Sequence, residues 1–187
     1  MRLSDDEHKR IAAAAKAASA ETGAHLAVTI VPVSDRYTLY PLVWGALLAL
    51  AAAAVVALGW PMMPLREAFV IEAAVFVFAS LALDWFPLRL KAVPRHIRHL
   101  RATQLAHRAF AARMHTDGYP RGCILLFVSL GERYAEVIGD HVAHARIGEG
   151  AWERIVATLI ESARKGRIAD GAIAAINECA ARLSAAD

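Results

Sequence analysis

One stretch of the chain constrains its fold more than any other. The run YPLVWGALLALAAAAVVALGW, Tyr40 to Trp60, contains no charged residue. A helix rises about 1.5 Å per residue, so a helix of this length covers the roughly 30 Å hydrocarbon core of a bilayer. Tyr40 and Trp60 bracket the run in the manner of interface anchors. Because a chain of 187 residues can hardly wrap so long an apolar helix, residues 40–60 are predicted to span a membrane.

A second apolar run, AFVIEAAVFVFASLALDWF, covers residues 68–86 and contains Glu72 and Asp84. A charge at the centre of a span costs about 2.5–3.5 kcal/mol, but these two acids lie towards the ends. Two interpretations stay open for them: solvation at the interface, and a function inside the membrane. The intervening loop, PMMPLRE, is short. The two runs together predict a transmembrane helical hairpin.

The charges next to the hairpin indicate its orientation. Residues 87–121 carry eight Arg and Lys and one acid, whereas the loop between the runs carries one Arg and one Glu. The positive-inside rule then places both termini in the cytoplasm and the hairpin in the inner membrane. The first residues, MRLSDDEHKR, are charged and do not resemble a signal peptide. Two cysteines without a CxxC motif fit a reducing compartment.

The rest of the chain has the patterns of a soluble α/β domain. Ser4 and Glu7 form a capping box before an alanine-rich helix that ends at Gly23, and HLAVTIVPV follows as a strand. After the hairpin comes a basic helix with apolar residues along one side, Ile97, Leu100, Leu105 and Phe110. The tail predicts two helices separated by Gly166, the second with Asp170 as its N-cap.

A short apolar run, Ile124 to Leu130, lies between these helices. Seven residues cannot span a bilayer as a helix, so the run predicts a buried strand, and RYAEVIGD predicts a second strand after a tight turn. The helical crossover makes the first two strands parallel, and the hairpin adds an antiparallel strand. The predicted fold class is α/β, a small mixed sheet sandwiched by helices. The predicted parts are 1–36 and 87–187 for this domain, interrupted by spans at 40–60 and 68–86.

This order of motifs resembles the TPM domain family, named after a thylakoid lumen protein, a photosystem II repair protein and a nematode membrane protein. The resemblance rests on ETGAHLAVTIVP after the first helix, on TDGYPRGCILLFVSLGERYAEVIGD, and on the helical tail. The chain is similar to a short bacterial subgroup of this family that carries a two-span insert. The resemblance implies a mixed sheet between helices and three kinds of activity among relatives: phosphatase activity, calcium binding, and assembly of membrane complexes. The loop before the apolar strand departs from the family, because Asp117 is its only acid.

A metal site is one hypothesis for the polar residues at one sheet edge. Asp117 precedes the apolar strand and Asp140 ends its antiparallel partner, so both should lie at the same edge. His141 follows Asp140, and Glu149 is close in sequence. Oxygen ligands of this kind suit Ca²⁺ or Mg²⁺. The alternative is an ordinary polar loop, because such ions usually take several oxygen ligands.

The basic residues after the second apolar run are predicted to lie at a membrane surface. They are Arg89, Lys91, Arg95, Arg98 and Arg101. Each basic residue near anionic lipid contributes about 1 kcal/mol to binding. The histidines at 96 and 99 are also spaced for a metal, but a basic interfacial surface suits a helix that follows a span. Nucleic acid is not an expected partner, because the stripe lacks interleaved aromatic residues.

No P-loop, dinucleotide fingerprint, HExxH motif or nucleophile elbow occurs in the chain. The first functional hypothesis is therefore a membrane-anchored module that recruits or assembles a membrane protein at the inner membrane, with homo-oligomers left open. The alternative is a divalent-metal-dependent phosphatase with Asp117 and Asp140 as ion ligands. The number of acids at the sheet edge favours the first hypothesis.

Overall fold

The computed structural model describes residues 3–114, 122–148 and 150–185. The chain divides into two compact units, Met1–Ser34 with His99–Asp187 (unit 1) and Asp35–Arg98 (unit 2). The described residues form three strands, β1 (His25–Val31), β2 (Cys123–Ser129) and β3 (Tyr134–Gly139). Their helices are α1 (Asp5–Thr22), α2 (Leu39–Gly59), α3 (Leu65–Asp84), α4 (Phe86–Ala92), α5 (Arg95–Met114), α6 (His141–Ile147), α7 (Ala151–Arg164) and α8 (Ile168–Ala185).

The sheet of unit 1 has the strand order β1-β2-β3. β1 pairs with β2 in parallel, from His25 opposite Cys123 to Val31 opposite Ser129. β2 pairs with β3 antiparallel. The predicted parallel crossover and the predicted hairpin are both confirmed. Every residue of β2 is buried, as expected for the central strand of a sheet that is covered on both faces.

Helices cover both faces of this sheet. Ile124, Leu126 and Val128 of β2 pack into a core with α1, α6, α7 and α8. Phe127 points to the opposite face, where it packs against Ala102 and Ala106 of α5. The broad fold class, a mixed α/β domain built on a small mixed sheet, is therefore confirmed, and most of the chain is helical.

The first helix begins and ends as its sequence predicts. The Ser4 hydroxyl accepts a hydrogen bond from Glu7 N–H, and the Glu7 carboxylate accepts one from Ser4 N–H. Gly23 ends the helix in the left-handed conformation, with φ of 67°. Because β1 starts two residues later at His25, this stop places the edge strand directly against its own helix.

Unit 2 contains the apolar runs. Within the described residues one helix, Leu39–Gly59, is long and apolar enough to cross a membrane by length and composition. The predicted second span at 68–86 is not supported by the same criterion. Its helix, α3, runs from Leu65 to Asp84 and carries four charged residues, Arg66, Glu67, Glu72 and Asp84. The two-span hairpin and the cytoplasmic termini are therefore not shown.

Two local predictions were wrong in detail. No helix was predicted directly after Asp140, where an ordinary polar loop was one of two interpretations, but His141–Ile147 forms helix α6. Asp170 lies in the first turn of α8 and is not its N-cap, because that helix already begins at Ile168. The basic segment is divided at its proline, as expected for a residue that breaks or starts a helix: α4 ends at Ala92, and α5 starts at Arg95.

Candidate functional site

Asp140 lies at the predicted sheet edge, and the fold occupies both of its carboxylate oxygens. Oδ1 accepts a hydrogen bond from Ala143 N–H at 2.8 Å, which makes Asp140 the N-cap of α6. Oδ2 accepts one from Cys123 N–H at 3.0 Å. The backbone N–H of Asp140 donates in turn to the Cys123 carbonyl. The carboxylate thus joins the start of β2, the end of β3 and the start of α6.

Gly122 allows this close packing. Its φ is +101°, and a Cβ there would lie 3.1 Å from both Asp140 Oδ1 and Ala143 N. Such a backbone conformation is unfavourable for residues with a side chain. Gly122, directly before β2, therefore permits the close approach that the cap of α6 needs.

Of the other members of the predicted metal set, the structure describes His141. His141 is exposed at the start of α6, while Asp117 and Glu149 lie outside the described residues. The histidine that makes a defined contact is His144, whose ring stacks on Trp152 with centroids 4.9 Å apart. Within the described ranges, no group of three or more His, Cys, Asp or Glu is placed to hold a metal ion. The calcium or magnesium site stays a prediction.

We expect variants of Asp140 to lose stability in two steps. Asp140→Asn keeps the cap at Ala143 but turns an amide N–H₂ towards Cys123 N–H, whereas Asp140→Ala loses both hydrogen bonds. Each step should cost about 1 kcal/mol of unfolding free energy. Urea unfolding of the detergent-solubilised protein, followed by circular dichroism, measures both. Equal stability of wild type and Asp140→Ala would contradict this structural role.

A second polar cluster, which the sequence did not reveal, surrounds Glu132 in the β2–β3 turn. Glu132 is 4% exposed, and its carboxylate accepts hydrogen bonds from Ser34 N–H at 2.9 Å and from the Ser129 hydroxyl. The Ser34 hydroxyl donates to Ser129 Oγ at 3.0 Å. This cluster holds the segment after β1 against the turn after β2, at the carboxyl ends of both strands. The sequence did not indicate this cluster, because Glu132 lies in an ordinary turn and its partner Ser34 is far away in sequence.

A third polar group lies between β3 and α5. The Tyr134 hydroxyl donates to Glu136 Oε2 at 2.8 Å and lies 2.8 Å from Thr103 Oγ1. His107 Nε2 is 3.5 Å from the other Glu136 oxygen, and the His99 ring meets Tyr134 edge-on. Burial is the main cause that raises the pKa of Tyr134. These contacts explain His99 and His107 as groups that attach α5 to the sheet.

Both cysteines are buried free thiols. Burial is the first cause that raises the pKa of each thiol above its ordinary value, in Cys179 to about 12. A thiol in this state is a poor nucleophile, because the thiolate is the reactive form. Neither cysteine is therefore a candidate for covalent catalysis.

The raised pKa of Cys179 predicts a loss of stability at alkaline pH. In the unfolded chain the pKa of the thiol is about 8.5, whereas in the folded protein it is about 12. The contribution is fully present below the unfolded pKa and is lost as the pH rises through this window. At pH 10 the loss should be about 2 kcal/mol relative to pH 7. Urea unfolding at both pH values, compared with Cys179→Ala, measures it; equal pH dependence in the two proteins would contradict the prediction.

Of the five predicted membrane-surface residues, Arg89 is already engaged inside unit 2. Its guanidinium pairs with the Asp84 carboxylate and donates to the Asp84 and Arg36 carbonyls. The ion pair with Arg89 also gives Asp84, one of the two acids of the second apolar run, a structural role. Lys91 and Arg95 are exposed. The predicted lipid contact remains a prediction for the set.

Unit 1 is thus a small mixed α/β domain, and the same fold occurs in a solved structure. The chain is similar to the NMR structure of BA42 protein from the psychrophilic bacterium Bizionia argentinensis sp. nov., with a TM-score of 0.55 and 12% sequence identity. The similarity covers 100% of this chain and 84% of that chain. At this identity the likeness concerns the fold alone. No family model and no curated protein matches the chain, so membership of the TPM family stays a prediction.

Proposed function

We propose that this chain is a membrane-anchored α/β module that recruits or helps to assemble a partner protein at the inner membrane. The observation that carries the proposal is the apolar surface of unit 2. On α2 the buried positions are Pro41, Gly45 and Ala49, whereas large apolar side chains point outward. Leu58 is 88% exposed and Phe78 of α3 is 78% exposed. Exposed apolar patches of this extent are typical of surfaces that meet lipid or another protein.

The proposal includes α3 as a second span beside α2. The two helices pack closely, since a Cβ on Gly45 would overlap Ser80 Oγ and lie 3.3 Å from the Phe76 carbonyl. Small residues at such crossings are typical of helices that associate within membranes. Asp84, at the end of α3, is paired with Arg89. Glu72 is the remaining acid within the apolar run, and burial of its carboxylate in lipid would cost free energy. A function of Glu72 inside the membrane therefore stays open.

A recruiting role agrees with how unit 1 uses its carboxylates. Asp140 and Glu132 both accept backbone N–H groups and so contribute to the fold. No contact of the described residues favours the alternative, a divalent-metal-dependent phosphatase, over recruitment. That alternative remains a hypothesis, which depends on Asp117.

The anchor is tested by the accessibility of one introduced cysteine. Met62, between α2 and α3, is 95% exposed, and the native thiols are buried. We expect Met62→Cys in intact cells to react with a membrane-impermeant maleimide. A matched Lys9→Cys variant should react only after the inner membrane is broken. Reaction of both cysteines in intact cells, or of neither, would contradict a two-span anchor with cytoplasmic termini.

Recruitment is tested by crosslinking in membranes. The full-length protein should give a discrete crosslinked adduct with another protein, and this adduct should disappear when unit 1 is unfolded by substitution while the anchor remains. Hydrolysis of p-nitrophenyl phosphate with Ca²⁺ or Mg²⁺ is measured on the same preparation. Metal-stimulated hydrolysis without an adduct would replace the recruitment proposal by the phosphatase alternative.

A further inference from the structure

Within the described residues, β1 is an edge strand whose outer side is only partly closed. In a parallel pair, the backbone groups of alternate residues point towards the neighbouring strand. His25 N–H donates to the Gly122 carbonyl, and the Val31 carbonyl accepts from Leu130 N–H, so the odd-numbered residues of β1 face β2. The backbone groups of Leu26, Val28 and Ile30 therefore point away from the sheet.

Only the first of these outward positions is closed within the described residues. Leu26 N–H donates to the Ser19 hydroxyl at 2.9 Å, and the same hydroxyl lies 3.4 Å from the Leu26 carbonyl. No hydrogen bond of the described chain involves the outward N–H and C=O groups of Val28 and Ile30. The side chains of both residues are partly buried against the core. β1 thus presents two adjacent open positions for another extended strand.

A groove of about 570 Å³ runs along this edge, between α1 and β1. Ile11 and Ala15 of α1 supply an apolar wall, and Lys16, His8, His25 and Arg113 supply basic groups. None of the described residues that line the groove is an aspartate or glutamate. The groove therefore combines unpaired strand backbone, apolar contact and positive charge.

We propose that this groove binds an extended segment of a partner protein, rich in acidic residues, as an additional strand beside Val28 and Ile30. The inference rests on the proposed recruiting function and names the surface that would serve it. Main-chain hydrogen bonds to an exposed sheet edge supply affinity in such complexes, and the side chains supply specificity. Carboxylates on the incoming strand would meet Lys16 and Arg113.

Charge disfavours a second copy of this chain as the occupant. Edge-to-edge pairing of two β1 strands would bring the basic groups of both grooves together, including Lys16 and Arg113 of each copy. Like charges placed opposite each other destabilise an interface. An acidic segment has the complementary charge.

The test uses the full-length protein in lipid nanodiscs and a displayed library of random linear peptides of about ten residues, the upper length of an ordinary strand. Empty nanodiscs remove peptides that bind lipid. We expect selection to enrich peptides in which Asp or Glu alternates with β-branched residues. With the tightest synthetic peptide bound, the amides of Val28 and Ile30 should exchange with deuterium about tenfold more slowly.

Variants separate the contribution of the basic side chains to peptide binding from that of the strand backbone. The charge reversals Lys16→Glu and Arg113→Glu should weaken peptide binding about tenfold each, whereas Lys9→Glu, an exposed change on the same helix outside the groove, should leave it unchanged. Val28→Pro removes one outward N–H that no strand pairing uses, and it should abolish the protection at Ile30. The charge reversals keep the test valid if Val28→Pro does not fold.

Several outcomes would overturn the inference and leave the recruiting function standing. They are selection of no peptide above the empty nanodiscs, selection of peptides without acidic residues, and protection of amides elsewhere in the protein. Protection of Val28 and Ile30 in a peptide-free dimer would also overturn it, in favour of a second copy. Failure of the membrane crosslinking experiment instead concerns the recruiting function, since peptide binding is measured without any cellular partner.

Discussion

Phe127→Ala is expected to lower the free energy of unfolding by about 3–5 kcal/mol. Phe127 is fully buried and fills the space between the sheet and α5, where its fully buried neighbours are Ala102 and Ala106. The side chains of these alanines are too short to fill the vacated volume, so a cavity would remain. Urea unfolding of the full-length protein in detergent, followed by circular dichroism, measures the loss.

Two controls accompany this variant. Phe127→Leu retains most of the volume and should cost less than about 1.5 kcal/mol. Leu100→Ala changes a residue of α5 that is 51% exposed, and its effect should stay within about 0.5 kcal/mol. If Phe127→Ala lost no more stability than Leu100→Ala, the sheet face under α5 would not be a packed core.

The sequence predicted the elements whose signals are local. The capping box at Ser4, the stop at Gly23 and the apolar run of β2 each lie within a few neighbouring residues, and each occurs as predicted. The parallel and antiparallel pairing followed from chain order, because the handedness of crossovers and the tightness of hairpins leave few alternatives.

The packing side of α5 could not be predicted in the same way. Its larger apolar residues suggested the inner face, but Leu100 is half exposed and the fully buried positions are Ala102 and Ala106. A large partner, Phe127, occupies the space above them, and only small residues let the helix approach the sheet. Such a match depends on a strand that lies elsewhere in the sequence.

The candidate site, too, could be predicted from the sequence only in part. Chain order placed Asp140 at a sheet edge, but it gave no indication that Ala143 and Cys123 N–H groups would occupy both carboxylate oxygens. The open positions of β1 depend on which residues face β2 and on the Ser19 hydroxyl, which closes Leu26. Both facts require the register of the folded sheet.

The second large effect is expected in the helix pair of unit 2. Gly45→Leu should destabilise the packing of α2 against α3 by roughly 3 kcal/mol, because the new side chain would overlap Ser80 and crowd the Phe76 carbonyl. The Ser80 hydroxyl can rotate, but the carbonyl belongs to the helix backbone and cannot move away alone. Unfolding of the full-length protein in bicelles with increasing dodecyl sulfate, followed by circular dichroism, measures the change.

Gly59→Leu is the matched control, since a Cβ at Gly59 would have open space around it beyond its own stretch of helix backbone. Its effect should stay within about 0.5 kcal/mol. A double variant, Gly45→Ala with Ser80→Ala, should lose less stability than Gly45→Ala alone, because the second change removes the overlapping hydroxyl. Equal losses for Gly45→Leu and Gly59→Leu would mean that α2 does not pack on α3 through Gly45. The proposal of a second span would then lose the packing of α3 on α2 as support and would depend on the exposed apolar side chains of α3, such as Phe78.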